Sequence, residues 1–493
     1  MVNAAGRALS GDEETLDPDD WDLAERSMHE MLASSIAHIR DVRSRPLWRP
    51  MPPEVCARFA RPVPDAPTPL VHILDEIRDD LLPYSMGNIH PRFWMWFMGA
   101  GSLTGALADF LAAIDGSNLG GGNTAAARLD RQVIDWLKEM MGFPETASGT
   151  IVNGGAMANM IGLTVARNVM AGVDVRAEGV AAMPAPLRFY ASDQVHSCHQ
   201  KALEALGLGN KALLRVAATP EGSIDLSALE QAITRDRAAG IKPACVIATA
   251  GTVNAGAIDD LQAISELCER EGLWFHVDGC IGALLAIAPR HGGLVAGIER
   301  ADSLALDPHK WLHVPFAAGC ALVRDADAHR RAFALTPEYL EGKPRGIAGA
   351  AFLHDLNLGT SAGFAALKIW MTLKENGVAK FGRLIDQNID QAEYLTARIE
   401  DEPHLKLMAP TRINIVNFRY DPGGLEDVAL KVLNTEIMLR LQEDGIAAIS
   451  DTTIKGQHSL RVAICNHRTR HDDLDRLIAE LLGVAETIGV SVA

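Results

Sequence analysis

Between about Gly116 and Gly377, short apolar runs alternate with stretches of helical spacing, which restricts this part of the chain to an α/β architecture with a mostly parallel sheet. Pro243–Thr249 is one such run. Asp259-Asp260 can cap the helix that follows, Gly272 can end it after Arg270, and Leu273–Val277 is the next strand. This β-α-β unit delivers Asp278 at the carboxyl end of a strand, where open α/β sheets place their ligands. Ser303–Leu306 and Gly319–Val323 read as two further strands, and the loop between them carries Asp307-Pro308-His309-Lys310-Trp311.

At 493 residues the chain is too long for one core. Three pieces are expected: a helical and extended N-terminal segment over 1–115, a large domain over 116–377 and a small C-terminal α/β domain over 378–493. Residues up to about Asp20 look disordered, Trp21 to Arg43 has helical spacing, and the Pro-rich interval Pro46 to Pro69 reads as an extended linker. In the small domain a strand is expected at Arg412 to Phe418, a helix at Leu425 to Asp444, a strand at Ser459 to Cys465 and a helix at Asp472 to Leu482.

Lys and Arg number 46 against 63 Asp and Glu, a net charge of −17 that repels phosphate backbones and anionic lipids, so nucleic acid and membranes are excluded as expected partners. The seven cysteines include no C-x-x-C pair, which indicates neither a disulfide framework nor a metal site. With no apolar leader and no membrane-length apolar run, a cytoplasmic location is the default expectation.

A lysine beside a histidine on a loop, with an aspartate ending a neighbouring buried strand, suits pyridoxal phosphate chemistry. The amine condenses with the cofactor aldehyde, and the carboxylate keeps the pyridine nitrogen protonated so that the ring accepts electrons. On Asp307-Pro308-His309-Lys310-Trp311 and Asp278 the chain resembles the pyridoxal phosphate-dependent amino-acid decarboxylases of the aromatic, histidine and glutamate type, from about Trp48 to Leu482. The resemblance implies a fold-type I enzyme, a large domain with a mostly parallel sheet plus a small domain. It also implies an obligate homodimer acting on a small amino acid, with the N-terminal segment packed on the partner.

By that resemblance Lys310 binds the aldehyde, Asp278 faces the ring nitrogen and His196, within Tyr190–Ser197, stacks on the ring and can pass protons. Gly154, Gly155 and Ala156 open a helix whose amides can bind the phosphate, helped by His309. Thr252 matches the family threonine near the cofactor, and Cys280 takes the place of a small residue on the ring face. Ala156 stands where the family usually has a hydroxyl, and Asp307 where many members have asparagine.

Trp96, Phe97 and Met98 match a substrate-lining segment, with core packing an equal alternative for alternate positions. Gly121 and Asn123, in Asn118–Asn123, replace a more aromatic stretch and imply an amide-lined gap in the partner's pocket. Counting from Thr336–Leu340 and back from Ala366–Trp370, Leu353 stands where the family's mobile loop has a proton-donating tyrosine; the neighbouring His354 is the substitute acid. Decarboxylation to an amine is the leading expectation. Loss of the loop hydroxyl motivates its rival, decarboxylation with oxidative deamination to an aldehyde, ammonia and peroxide.

Overall fold

The computed structural model describes residues 15–335 and 343–492; the Thr336–Leu340 run and residues 1–14 lie outside them. These residues form two compact units, one ending at Met86 and the other comprising Pro46–Trp48 and everything from Gly87 onward. The first unit holds α1 (Trp21–Arg40), α2 (Pro53–Arg58) and α3 (Leu70–Glu76). Asp20 caps α1 by accepting the Leu23 N–H at 2.9 Å. The Pro-rich interval is therefore not extended throughout, because Pro52-Pro53 starts the short α2 at the one position where a helix tolerates proline.

The second unit contains two sheets. Its large sheet has seven strands in the order β1-β7-β6-β5-β4-β2-β3. They are β1 (Ser148–Val152), β2 (Leu187–Ser192), β3 (Leu213–Val216), β4 (Lys242–Thr249), β5 (Trp274–Asp278), β6 (Ser303–Leu306) and β7 (Gly319–Val323). β7 runs antiparallel to both neighbours, and the other pairs are parallel. Every residue of β5, β6 and β7 is buried, which is why they read as continuous apolar runs rather than alternating ones.

Along the chain the helices are α4 (Leu103–Asp115), α5 (Ala125–Met140), α6 (Gly155–Met170), α7 (Val175–Glu178), α8 (Cys198–Ala205), α9 (Leu226–Ala238), α10 (Leu261–Glu271), α11 (Ala326–Phe333) and α12 (Ala366–Asn376). In the β4-α10-β5 unit the two aspartates divide the work. Asp260 caps α10 through the Ala263 N–H, while the buried Asp259 accepts the Thr249 and Ile224 N–H groups at 2.7 and 2.6 Å. Gly272, at φ 67°, ends α10 in the left-handed conformation glycine adopts without penalty.

The small sheet is antiparallel, in the order β10-β11-β9-β8, from β8 (Leu405–Leu407), β9 (Ile415–Tyr420), β10 (Ser450–Ile454) and β11 (Gln457–Ala463). It packs with α13 (Val378–Glu400), α14 (Asp427–Glu443) and α15 (His471–Val492) around a core that includes Trp94, Phe418, Ile437 and Leu477.

Gly319 of β7 lies against the turn that opens α6: a Cβ built there falls 2.5 Å from the backbone of Gly154. Gly319→Ala should cost roughly 1–3 kcal/mol, the usual range for overpacking, read as a lower unfolding midpoint. In α15, where a methyl on Gly483 meets nothing within 4 Å, Gly483→Ala should instead match or exceed the native midpoint.

Candidate active site

β5 and β6 are parallel neighbours, so Asp278 at the end of one and the Asp307–Trp311 loop after the other emerge at the same sheet edge. Lys310 Nζ lies 3.0 Å from Asp307 Oδ2 and 5.7 Å from the centre of the Phe97 ring. Burial disfavours its charge, but Asp307, Cys280 and Asp278 outweigh burial and raise the ammonium above the ordinary lysine range. His309 is fixed by a 2.7 Å contact between Nδ1 and the Ala318 carbonyl, and burial lowers its pKa. Trp311 is fully buried, donates Nε1–H to Asn388 and meets Phe97 edge-on.

Gly154, at φ 110°, precedes α6, and no side chain caps that helix. A Cβ on Gly155 would fall 2.3 Å from Cys280 Sγ and 2.7 Å from Asp307 Oδ2, so only glycine fits there. Gly155 and Ala156 thus begin a helix whose first amides are open to an anion. Buried Asp307 Oδ1 has no hydrogen-bond partner among the described residues, a polar atom left over for a ligand. Thr252 is buried in the turn after β4, its hydroxyl oxygen accepting the Ala257 N–H at 3.0 Å. Cys280 Sγ accepts from Asn159 Nδ2, and burial pushes its thiol well up.

Asp278 is buried yet held well below the usual carboxylate range. Burial alone would raise it; the His199 hydrogen bond and charge, the Cys280 side chain and Lys310 reverse that. His199 Nε2 lies 2.8 Å from Asp278 Oδ2, and the Cys280 N–H donates to Oδ1 at 3.2 Å. His199 is not expected from the sequence, although it follows His196 by three residues in the same His-Ser-Cys-His string. His196 is exposed at the head of α8, its Nδ1 accepting the Cys198 N–H, and a hydrogen bond with the Cys198 side chain raises its pKa. Arg461 is likewise unexpected: buried, it donates to the Val253 and Trp96 carbonyls, leaving Nη2 without a partner among the described residues.

Of Trp96, Phe97 and Met98, only Phe97 is brought to Lys310. Trp96, at φ 55°, is about half exposed, and Met98 packs on Leu47, Phe93 and Ala448. The remaining expected residues form a separate cluster. The Gly120 carbonyl accepts the His354 N–H at 3.1 Å and meets its Nδ1 at 2.8 Å. Asn123 Oδ1 accepts from Arg128, and Leu353 is partly buried on the main core. A Cβ on Gly121 would fall 2.6 Å from Phe352 Cα and 2.5 Å from its ring. Phe352 of the same chain therefore packs directly on Gly121, an approach the glycine permits.

A buried lysine and an ionised aspartate at the carboxyl edge of this sheet, beside an uncapped helix start, define a fold-type I pyridoxal phosphate enzyme. The residues fit the cofactor: Lys310 would hold its aldehyde, Asp278 its ring nitrogen, and the amides of Gly155 and Ala156 with His309 its phosphate. Residues 52–421 match the family described as the pyridoxal-dependent decarboxylase conserved domain, and the chain belongs to that family. It is 32% identical over 468 residues to an aromatic-L-amino-acid decarboxylase of Bacillus atrophaeus, covering 92% of this chain and 94% of that one. It is 26% identical to a phenylacetaldehyde synthase of Petunia hybrida, covering 93% of each. The structure of Oryza sativa TDC with PLP and tryptamine superposes with a TM-score of 0.88 at 24% identity, covering 96% of this chain and 100% of that one. The protein is thus a pyridoxal phosphate-dependent carboxy-lyase. Among the described residues no helix is long and apolar enough to cross a membrane.

An ammonium cannot attack an aldehyde, so the Asp307–Lys310 ion pair restrains cofactor capture. In Asp307→Asn the neutral fraction of Lys310 rises about tenfold for each unit its pKa falls. Apoenzyme given pyridoxal phosphate near neutral pH should then reconstitute faster, followed by visible absorbance. Lys310→Ala should give no cofactor-protein adduct after borohydride treatment.

Proposed function

We propose that this protein decarboxylates an aromatic L-amino acid to its amine and CO2, as a homodimer. The observation that carries the reading is Lys310 and the ionised Asp278 in one buried site. Phe97, packed between Trp311 and Lys310, and the likeness to an aromatic-L-amino-acid decarboxylase support the substrate class. Bound pyridoxal phosphate supplies an electron sink for the charge left at Cα as the carboxylate departs. Asp278 would keep the ring nitrogen protonated, Phe97 and Trp311 would exclude water on one side, and His196 would cover the ring.

His354 is the acid that returns a proton to Cα. Its Nδ1 lies 2.8 Å from the Gly120 carbonyl, and its buried Nε2 has no hydrogen-bond partner among the described residues, with Asp355 Oδ1 3.9 Å away. The apolar faces of α1, with Trp21, Met28, Leu32 and Ile36 exposed, and of α4, with Leu107, Phe110 and Ile114 exposed, support a second copy of the chain. In that dimer the Gly120–His354 cluster of one subunit serves the partner's site.

Leu353 favours a second reading. Without a hydroxyl there, an unprotonated Cα is open to oxygen, and substrate, O2 and water give aldehyde, CO2, ammonia and hydrogen peroxide. Incubating aromatic amino acids with the holoenzyme in air and without oxygen separates the two. One amine per CO2 with no oxygen consumed supports decarboxylation, and His354→Ala should then release peroxide. Aldehyde and peroxide from the native enzyme would overturn it, and Leu353→Tyr should restore amine, since a placed general acid contributes roughly 10²–10⁴-fold.

A further inference from the structure

Behind Asp278 lies a buried histidine that no step above uses. His199 is fully buried on the first turn of α8, with Nε2 2.8 Å from Asp278 Oδ2. Resting on the reading of Asp278 as the ring-nitrogen partner, we propose that His199 is a positioning residue that governs the protonation of the cofactor's ring nitrogen through Asp278.

A carboxylate at the end of a buried strand has two ways to fail in this role: it can take up a proton of its own, or it can rotate its oxygens away from the ring. His199 acts against both. Its bond to Oδ2, with the Cys280 N–H on Oδ1, pins both oxygens and sets the carboxylate plane. The groups facing His199 are Asp278 and His276 from β5 and Cys198 and His196 from α8 and its lead-in, with Asn159 of α6 donating to the Cys198 sulfur. Burial opposes charge on His199, but Cys198 and Asp278 outweigh it and hold the imidazolium at about 10. His276 does not compete. Burial and the charge of His199 lower it to about 3, and its ring nitrogens engage Asn159 Oδ1 and Ser303 Oγ, each at 2.8 Å.

Cys198, His199 and Asp278 are also the one group of three potential metal ligands with atoms within 4.8 Å among the described residues. His199 Nε2 and Asp278 Oδ2 bond to each other, and the Cys280 N–H takes Oδ1. The arrangement is that of an ion pair aimed at a third partner, and the third partner of Asp278 is the ring nitrogen.

The test uses holoenzyme loaded with pyridoxal phosphate carrying nitrogen-15 in its ring, whose chemical shift reports ring protonation directly. Native enzyme should keep the ring proton from about pH 6 to 9, across the ordinary histidine range. His199→Leu should lose it within that span. Its kcat should fall about ten- to a hundredfold, the range seen when a partner behind a directly acting group is removed, with KM little changed. His199→Gln keeps a donor without a charge, so its protonation midpoint should lie between the two. A leucine variant with the native nitrogen shift and kcat would overturn the proposal; if that variant does not fold, a native titration in His199→Gln does the same. Asp278→Asn separates this from the reading beneath it. A ring that stays protonated in Asp278→Asn overturns both, whereas loss there but not in the His199 variants overturns His199 alone. Whether amine or aldehyde is the product leaves the nitrogen readout unchanged.

Discussion

A carboxylate can remain ionised in a dry protein interior only where donors and cations repay its lost hydration, and the site is organised around that requirement at Asp278. The strand places the group; its neighbours keep it charged. β5 is covered on both faces, so its last residue arrives desolvated. His199, the Cys280 side chain and Lys310 then compensate from three different elements.

Strands β4 to β7 of the large sheet were legible because they are buried almost throughout and therefore appear as apolar runs closed by strong punctuation, whereas β1, with partly buried positions, and β3, four residues long with an exposed one, were not. Asp260 and Gly272 mark the two ends of α10 as written, and β6 and β7 fall where their apolar runs stand. β10 was not legible: Ser450-Asp451-Thr452-Thr453-Ile454 is mostly polar and takes its strand form from pairing with β11. β8 is three residues long, too short to show a period. α13 begins directly after Gly377, a residue that reads as a stop but here separates two consecutive helices.

Within the site, Lys310, Asp278, Asp307, Cys280 and His309 could be read from two short motifs because a strand end and a loop fix them locally. His199 and Arg461 could not. Each acts through a partner distant in sequence, Asp278 in one case and the Trp96 and Val253 carbonyls in the other, and nothing in its local pattern distinguishes it from an ordinary polar residue. Phe352 was hidden for the same reason. The space it fills is defined by Gly121, more than two hundred residues earlier in the chain.

The lysine loop has a mechanical property that follows from β7 running antiparallel to β6. The segment from Asp307 to Ala318 joins two directly paired strands, with Leu306 opposite Cys320, so a ladder clamps the loop at both ends. Trp311 and Leu312 anchor its middle in the core. A loop held this way has little conformational freedom left to surrender when the cofactor arrives. Capture should then resemble the filling of a rigid mould rather than folding around a ligand, with a small heat-capacity change and an affinity little reduced by ordering.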